Sequence, residues 1–223
     1  MTGTIEESLA PTGLAVLGAC PAHPDDALPD LPGGRPPASL VLVGNAGSGF
    51  WPQFAASKEY SDAQPDPLNR WSAQVLTDVA NALQCGVVFP FAGPPYYPFQ
   101  QWALRAGGVS QSPLGVLAQR RWGLWFAYRG ALLFDKVVDL EESDPEGPCE
   151  TCEDKPCLAA CPVDAFAADR PYDAELCRGH VSGAGARTCG SLGCQVRHAC
   201  PFGRDFAYRP EQAAFHMRAF VGA

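Results

Sequence analysis

Four cysteines fall within thirteen residues in the run CETCEDKPCLAAC, at Cys149, Cys152, Cys157 and Cys161, and Pro162 follows the last of them. Thiolates packed this closely are ligands for soft metals and for iron–sulfur cages. Gaps of two, four and three residues let one loop bring several sulfurs to a common centre while its backbone N–H groups stay free to hydrogen-bond sulfur. A second set follows at Cys177, Cys189, Cys194 and Cys200, with gaps of eleven, four and five, and Pro201 closes it. Together they make two complete sets of four ligands.

The first run is close to the bacterial ferredoxin pattern C-x2-C-x2-C-x3-C-P, in which the fourth cysteine serves the other of two 4Fe-4S clusters. It departs in carrying four residues, Glu153 to Pro156, where that pattern has two. Crossed in the ferredoxin manner, Cys149, Cys152, Cys157 and Cys200 are expected on one cluster, and Cys161, Cys177, Cys189 and Cys194 on the other. Zinc is the competing metal, but its four-cysteine sites pair two C-x2-C units across a long segment. Disulfides belong to oxidising compartments. No basic residue precedes the short apolar run near the N-terminus, the first Lys or Arg being Arg35, so an export signal is not expected. The expectation is a cytoplasmic protein with reduced thiols. Cys20 and Cys85 lie outside both sets and read as small hydrophobes.

The formal charge is −8, and thiolate-ligated clusters add to it, so nucleic acid is not an expected partner. No window of eighteen apolar residues suggests a membrane span. Acid is concentrated between Glu141 and Asp164, where Glu141, Glu142, Asp144, Glu146, Glu150, Glu153, Asp154 and Asp164 face one base, Lys155. Such a stretch is either a solvated linker or a docking face for a redox partner protein with a basic surface.

The elements that must position these ligands form a mixed pattern. Residues 20 to 38 read as an irregular proline-rich leader, with His23 in it. Leu40 to Val43 reads as a buried strand running into a loop with Gly44, Gly47 and Gly49, whose spacing matches neither a dinucleotide fingerprint nor a P-loop; a tight turn is the expectation. Asp66 is placed to cap a helix over 67–84, starting at Pro67 and burying Trp71, Leu76, Val79 and Leu83 on one face. VVFPF reads as a short strand beside the first, and Pro98 to Arg105 as a helix. LGVLAQRRWGLWFAYRGALLFD gives two strand-like runs broken at Gln119 to Trp122, an expected hairpin. Its Trp122, Trp125, Phe126 and Tyr128 cover either a core or an apolar cofactor cavity. QVRHACPFG and EQAAFHMRAF look helical, the latter as a tail that packs back. The fold class expected is α+β, a mixed sheet-and-helix domain over 1–140 followed by a dicluster ferredoxin-like domain over 141–223.

From Cys149 to Pro201 the chain resembles the dicluster module of epoxyqueuosine reductases and their relatives the reductive dehalogenases, where a lone cysteine such as Cys177 joins a close pair such as Cys189 and Cys194 ahead of a final Cys-Pro. WALRAG at 102–107 and the run from Leu114 to Phe134 resemble, more faintly, the cobalamin-binding part of those enzymes, a nitroreductase-like α+β domain. The resemblance implies two 4Fe-4S clusters, leaves room for a corrinoid, and makes Trp122, Trp125 and Tyr128 its candidate contacts. It also implies oxidoreductase chemistry. The proton-donating acid of epoxyqueuosine reductases falls at about Gly93, however, and AGPPYYP offers no carboxylate. Tyr96 or Tyr97 is the alternative donor or a packing residue. The chain also ends without the helical-repeat tail those enzymes use for tRNA, so epoxyqueuosine reduction is not expected. The readings left open are an electron-transfer protein serving a partner or a cofactor, a cobalamin-dependent reductase of a small molecule, and an interaction module that metal only stabilises. His180 and His198 lie near the ligands, either as tuning groups or as ordinary polar residues.

Overall fold

The computed structural model describes residues 2–138, 140, 146–166, 170 and 172–222. In chain order it contains α1 (Thr2–Leu9), β1 (Ala15–Pro21), β2 (Ser39–Ala46), α2 (Trp51–Ala55), α3 (Lys58–Ser61), α4 (Pro67–Leu83), β3 (Gly86–Val88), α5 (Phe99–Ala106), β4 (Val109–Gln111), β5 (Leu117–Gln119), β6 (Phe126–Phe134), α6 (Ala174–Ser182), α7 (Cys189–Leu192), α8 (Gln195–Ala199) and α9 (Pro210–Val221). These fall into two units, Met1–Gly107 with Phe126–Pro145, and Gly108–Trp125 with Glu146–Ala223. The stretch 108–125, which sequence alone assigns to the N-terminal domain, therefore belongs with the cysteines. The acidic residues Glu141, Glu142 and Asp144 lie outside the described residues. No helix among the described residues is long and apolar enough to cross a membrane.

The first unit is built on a four-stranded antiparallel sheet in the order β1-β2-β6-β3. SLVLVGNA is buried from Ser39 through Asn45, as a strand covered on both faces must be, and its run of β-branched and leucyl residues suits that place. Helix α4 packs against β6 and β3, and α5 against β1. Trp71, Leu76 and Val79 are buried on α4 as its period requires. Asp66 does hold the N-cap position, but in a left-handed conformation and with no side-chain cap bond. The loop glycines serve close packing: a Cβ on Gly13 would collide with the Gly49 carbonyl, and one on Gly44 with the carbonyl of Ala127.

Gly44 sits where the β2–β6 register shifts, between Val43 and Gly44, so the strands touch there without a side chain between them. Gly44→Ala is expected to destabilise the first unit by about 1–3 kcal/mol through overpacking, read as a lowered melting temperature.

Two strand expectations need correcting. VVFPF contributes only Val87 and Val88, which with Gly86 form β3 and pair with β6 and not with β2. The expected hairpin does not form either. Its first run, β5, pairs with β4 around a turn in which the Ser112 amide donates to the Val116 carbonyl at 3.1 Å, while its second run becomes β6 of the other unit. Nor is the leader loose. Asp26 is buried and receives hydrogen bonds from the His23 amide at 2.8 Å, from Trp102 Nε1 at 2.8 Å, and from both terminal nitrogens of Arg105 at 2.7 Å.

The second unit holds the β4–β5 ribbon and helices α6 to α9. Its core gathers Leu114, Ala118 and Leu124 from the 108–125 stretch around Cys157, Val196 and Cys200. That packing is the physical reason the ribbon goes with the cysteines. The backbones at Gly123 and Gly203 also pass too closely for side chains, a Cβ on either striking the Phe202 or Trp122 main chain.

Candidate metal centres

Local structure places the thiols at the ends and bends of short elements. Cys157 lies in a 3-10 turn over Pro156–Ala159, entered through Lys155 in a left-handed conformation. Cys189 begins α7, Cys194 takes the N-cap of α8, and Cys200 takes its C-cap with Pro201 ending the helix. At the N-cap the Cys194 carbonyl accepts from the Arg197 amide at 3.1 Å, and its sulfur makes no cap bond. All ten cysteines carry free thiols.

Eight of them fall into two overlapping neighbourhoods, with Cys149, Cys161 and Cys194 all packed against the cluster that holds Cys157 and Cys200. In the first, burial raises the Cys149 thiol, and the neighbouring Cys200, Glu150 and Cys157 raise it further against a hydrogen bond with Ser110. Burial likewise raises Cys157, with Cys200 and Cys152 adding to it, and raises Cys200, with Cys152 adding to it. Cys200 therefore keeps company with Cys149, Cys152 and Cys157, more than forty residues away in the chain.

In the second group Cys161, Cys177, Cys189 and Cys194 line one cavity of about 300 Å³, otherwise walled mainly by apolar side chains. Burial raises Cys177, and Cys161 and Cys189 add to it, while a hydrogen bond from Tyr172 opposes. Cys194 is raised by burial and then by Cys177. Among the described residues, no group of three or more His, Cys, Asp or Glu is gathered for a single metal ion.

Several neighbours support the sulfurs, and none of them was legible in the cysteine spacing. Ser110 accepts from the Cys149 amide at 3.0 Å and is bonded to Glu150, with Gly147 keeping the space open beside it. The Ala165 amide donates to Cys161 Sγ at 3.3 Å, and Gln195 Nε2 approaches Cys189 Sγ at 3.7 Å. Tyr172 is held over Phe166 by a stacked contact, ring centroids 4.4 Å apart. His198 is not a ligand neighbour in this sense: its Nε2 meets the Leu192 carbonyl at 3.0 Å and its ring packs on Trp125. His180 lines the cavity.

Of the aromatic candidates, Trp122 and Trp125 belong to the second unit and Tyr128 to the first. Trp122 packs on Phe206, and Trp125 is buried against Tyr208 beneath the Arg197 guanidinium, all within the second unit. Tyr128 lies on β6 of the first unit, where its hydroxyl is buried with no hydrogen-bond partner among the described residues. Burial pushes that phenol above its ordinary range. Tyr97 is packed on Trp102 at 5.6 Å, and Tyr96 is exposed. Cys85 is buried, its thiol pushed up to about 11 by desolvation. Cys20 contacts Arg105 and the Trp102 carbonyl, both at 3.6 Å.

No protein-family model matches the sequence, and no curated protein matches it. Solved structures do resemble it. The C. elegans B12-trafficking protein CblC, a human MMACHC homologue, aligns over 98% of this chain and 91% of its own with 14% identity and a TM-score of 0.53. An epoxyqueuosine reductase from Streptococcus thermophilus aligns over 79% of this chain with 14% identity and a TM-score of 0.48. This chain covers 53% of that enzyme, about half its length. At this identity the likeness is one of fold, and the fold is mixed α and β with antiparallel sheets.

Proposed function

We propose that the chain is an iron–sulfur redox protein in which Cys149, Cys152, Cys157 and Cys200 hold one 4Fe-4S cluster and Cys161, Cys177, Cys189 and Cys194 hold a second. Electrons then pass to a partner protein or to a corrinoid seated on the first unit. The observation that carries this reading is the company Cys200 keeps: it joins Cys149, Cys152 and Cys157, while the nearer Cys189 and Cys194 share a cavity with Cys161 and Cys177. This is the crossing that two-cluster ferredoxins use.

The donor chemistry fits. Eight thiols suit soft iron, and the Ala165 amide, Gln195, Tyr172 and Ser110 are hydrogen-bonding neighbours of the kind that set the potential of such a centre. When bound, the clusters supply one-electron transfer. What this chain's own residues do is hold, shield and hydrogen-bond the sulfurs, within the core of Leu114, Ala118, Leu124 and Val196.

The corrinoid rests on different support. The first unit contributes to a fold similar to that of a B12-trafficking protein, and the Tyr128 hydroxyl is a buried polar atom with no hydrogen-bond partner among the described residues. This favours, as a second reading, a cobalamin-dependent reductase of a small molecule. No carboxylate stands in AGPPYYP to act as its acid, so electron transfer is the reading that needs least. The carboxylates Glu146, Glu150, Glu153 and Asp154 beside the first quartet suit an acceptor with a basic face.

Anaerobic purification with metal analysis and visible spectra before and after dithionite tests the reading. About 8 iron per chain and a bleachable spectrum are expected for two cubanes. Zinc without iron, or iron that dithionite does not bleach, overturns it in favour of a metal-stabilised module. A change in the corrinoid spectrum on adding cobalamin to the same sample is the result expected if the first unit carries that cofactor.

A further inference from the structure

Four of the large hydrophobic side chains left at the surface, Val116, Tyr172, Leu176 and Leu192, are each 40–52% exposed. Two of them stand at the second quartet's cavity and two are its neighbours in the chain. Val116 and Tyr172 line its cavity, Leu176 precedes Cys177, and Leu192 lies between Cys189 and Cys194. Apolar surface gathered at one place on a polar protein marks an interaction site more than chance exposure does.

The charge around it runs against the rest of the chain. Residues 170–218 carry Arg170, Arg178, Arg187, Arg197, Arg204, Arg209 and Arg218 against Asp173, Glu175, Asp205 and Glu211, seven less four, or +3. The remainder must then hold −11 to reach the total of −8. Arg178 is fixed at the cavity's rim, its guanidinium over the Phe220 ring at 5.1 Å and its Nε bonded to the Phe220 carbonyl at 3.3 Å, and Phe220 is a cavity wall. Arg187 and Arg218 are exposed, two residues before Cys189 and one after Met217 in the chain. Among the described residues, no Asp or Glu lines the cavity.

Resting on the cluster reading above, we infer that this face is where a small acidic electron-carrier protein docks to deliver electrons. A four-thiolate cluster is anionic and would repel such a carrier; an arginine rim around an apolar contact patch offsets that and steers the encounter. The first quartet presents Glu150, Glu153 and Asp154 instead, so it turns the same carrier away. Each encounter moves one electron: the carrier is oxidised by one, the protein is reduced by one, and no bond is made or broken.

The test is binding of a purified acidic plant-type ferredoxin, in its oxidised form, to the full iron-loaded chain by calorimetry at low and moderate salt. The double variant Arg187→Glu with Arg218→Glu is expected to weaken binding at least about tenfold at low salt and to flatten its salt dependence. Glu153→Lys with Asp154→Lys is expected to leave binding within about twofold, because those residues lie at the other quartet. Equal affinity for wild type and the arginine variant, or a larger effect from the acidic pair, overturns the docking inference while leaving the clusters in place. Iron content measured on each sample separates that failure from the other one: protein without iron removes the cluster reading and this inference together.

Discussion

Replacing Cys157 or Cys200 by serine is expected to take iron from about 8 to about 4 per chain, and replacing both is expected to take no more. The two residues lie 43 positions apart, yet both are buried in one core cluster and Cys200 raises the Cys157 thiol; on the proposed reading they serve the same centre and their losses do not add. Cys161 is only four positions from Cys157 but lines the cavity with Cys177, Cys189 and Cys194. Cys161→Ser is therefore expected to remove the other half of the iron, and the Cys157, Cys161 double variant nearly all of it. Cys20→Ala and Cys85→Ala are expected to leave iron unchanged, since Cys20 bonds to Arg105 and Cys85 is a desolvated thiol of the first unit. Iron and labile sulfide per chain read the whole series. If Cys200→Ser and Cys161→Ser deplete the same centre, the ligands are not crossed.

Serine at 157 or 200 also costs stability. Both side chains are buried in the core with Leu114, Ala118, Leu124 and Val196, and a hydroxyl left there without a partner costs about 1–3 kcal/mol before any loss of bound metal is counted. The iron-free and iron-loaded forms of each variant separate these contributions, because a ligand bound only to the native state stabilises it by mass action.

What the sequence disclosed was local. Trp71, Leu76 and Val79 recur at the helical period, and α4 ends within a residue of where that pattern stops. The unbroken apolar run at Leu40 declares a buried strand. Strand pairing depends on residues far apart, and there the reading failed. Leu117–Gln119 looks continuous with Phe126–Phe134, but the turn at Ser112 to Val116, with Gly115 in a left-handed conformation, closes β5 onto β4 first. The intervening Trp122 is then held by Phe206. β1 was hidden because its register shifts between Val16 and Gly18 and Pro21 ends it in a proline-rich context. The supporting atoms of the second quartet, the Ala165 amide and the Tyr172 hydroxyl, have no spacing signature at all. They become visible only when the chain folds back on Cys161 and Cys177.

Asp26 was hidden for the same reason, and removing it is expected to be among the most damaging single changes in the first unit. Asp26→Ala takes the partner from both arms of the Arg105 fork, from Trp102 Nε1 and from the His23 amide. Breaking a fully buried ion pair costs about 3–5 kcal/mol. Arg105 is 37% exposed and keeps some solvation, which lowers the expected loss to about 2–4 kcal/mol. Asp26→Asn restores shape without charge and is expected to recover part of it. The pair also fixes an acid limit. Desolvation alone would raise the Asp26 carboxyl, but the hydrogen bonds from Arg105, His23 and Trp102 outweigh it and hold the group below its ordinary value of 3.8. A carboxylate depressed in the folded state stabilises fully above its unfolded pKa, so this contribution is intact at neutral pH. It is lost as the pH falls below about 4 toward the folded value. Urea midpoints measured from pH 7 down to pH 3 are expected to fall more steeply below pH 4 for wild type than for Asp26→Asn, bringing the two proteins together in acid. Parallel curves would show that Asp26 is not an ionised partner of Arg105.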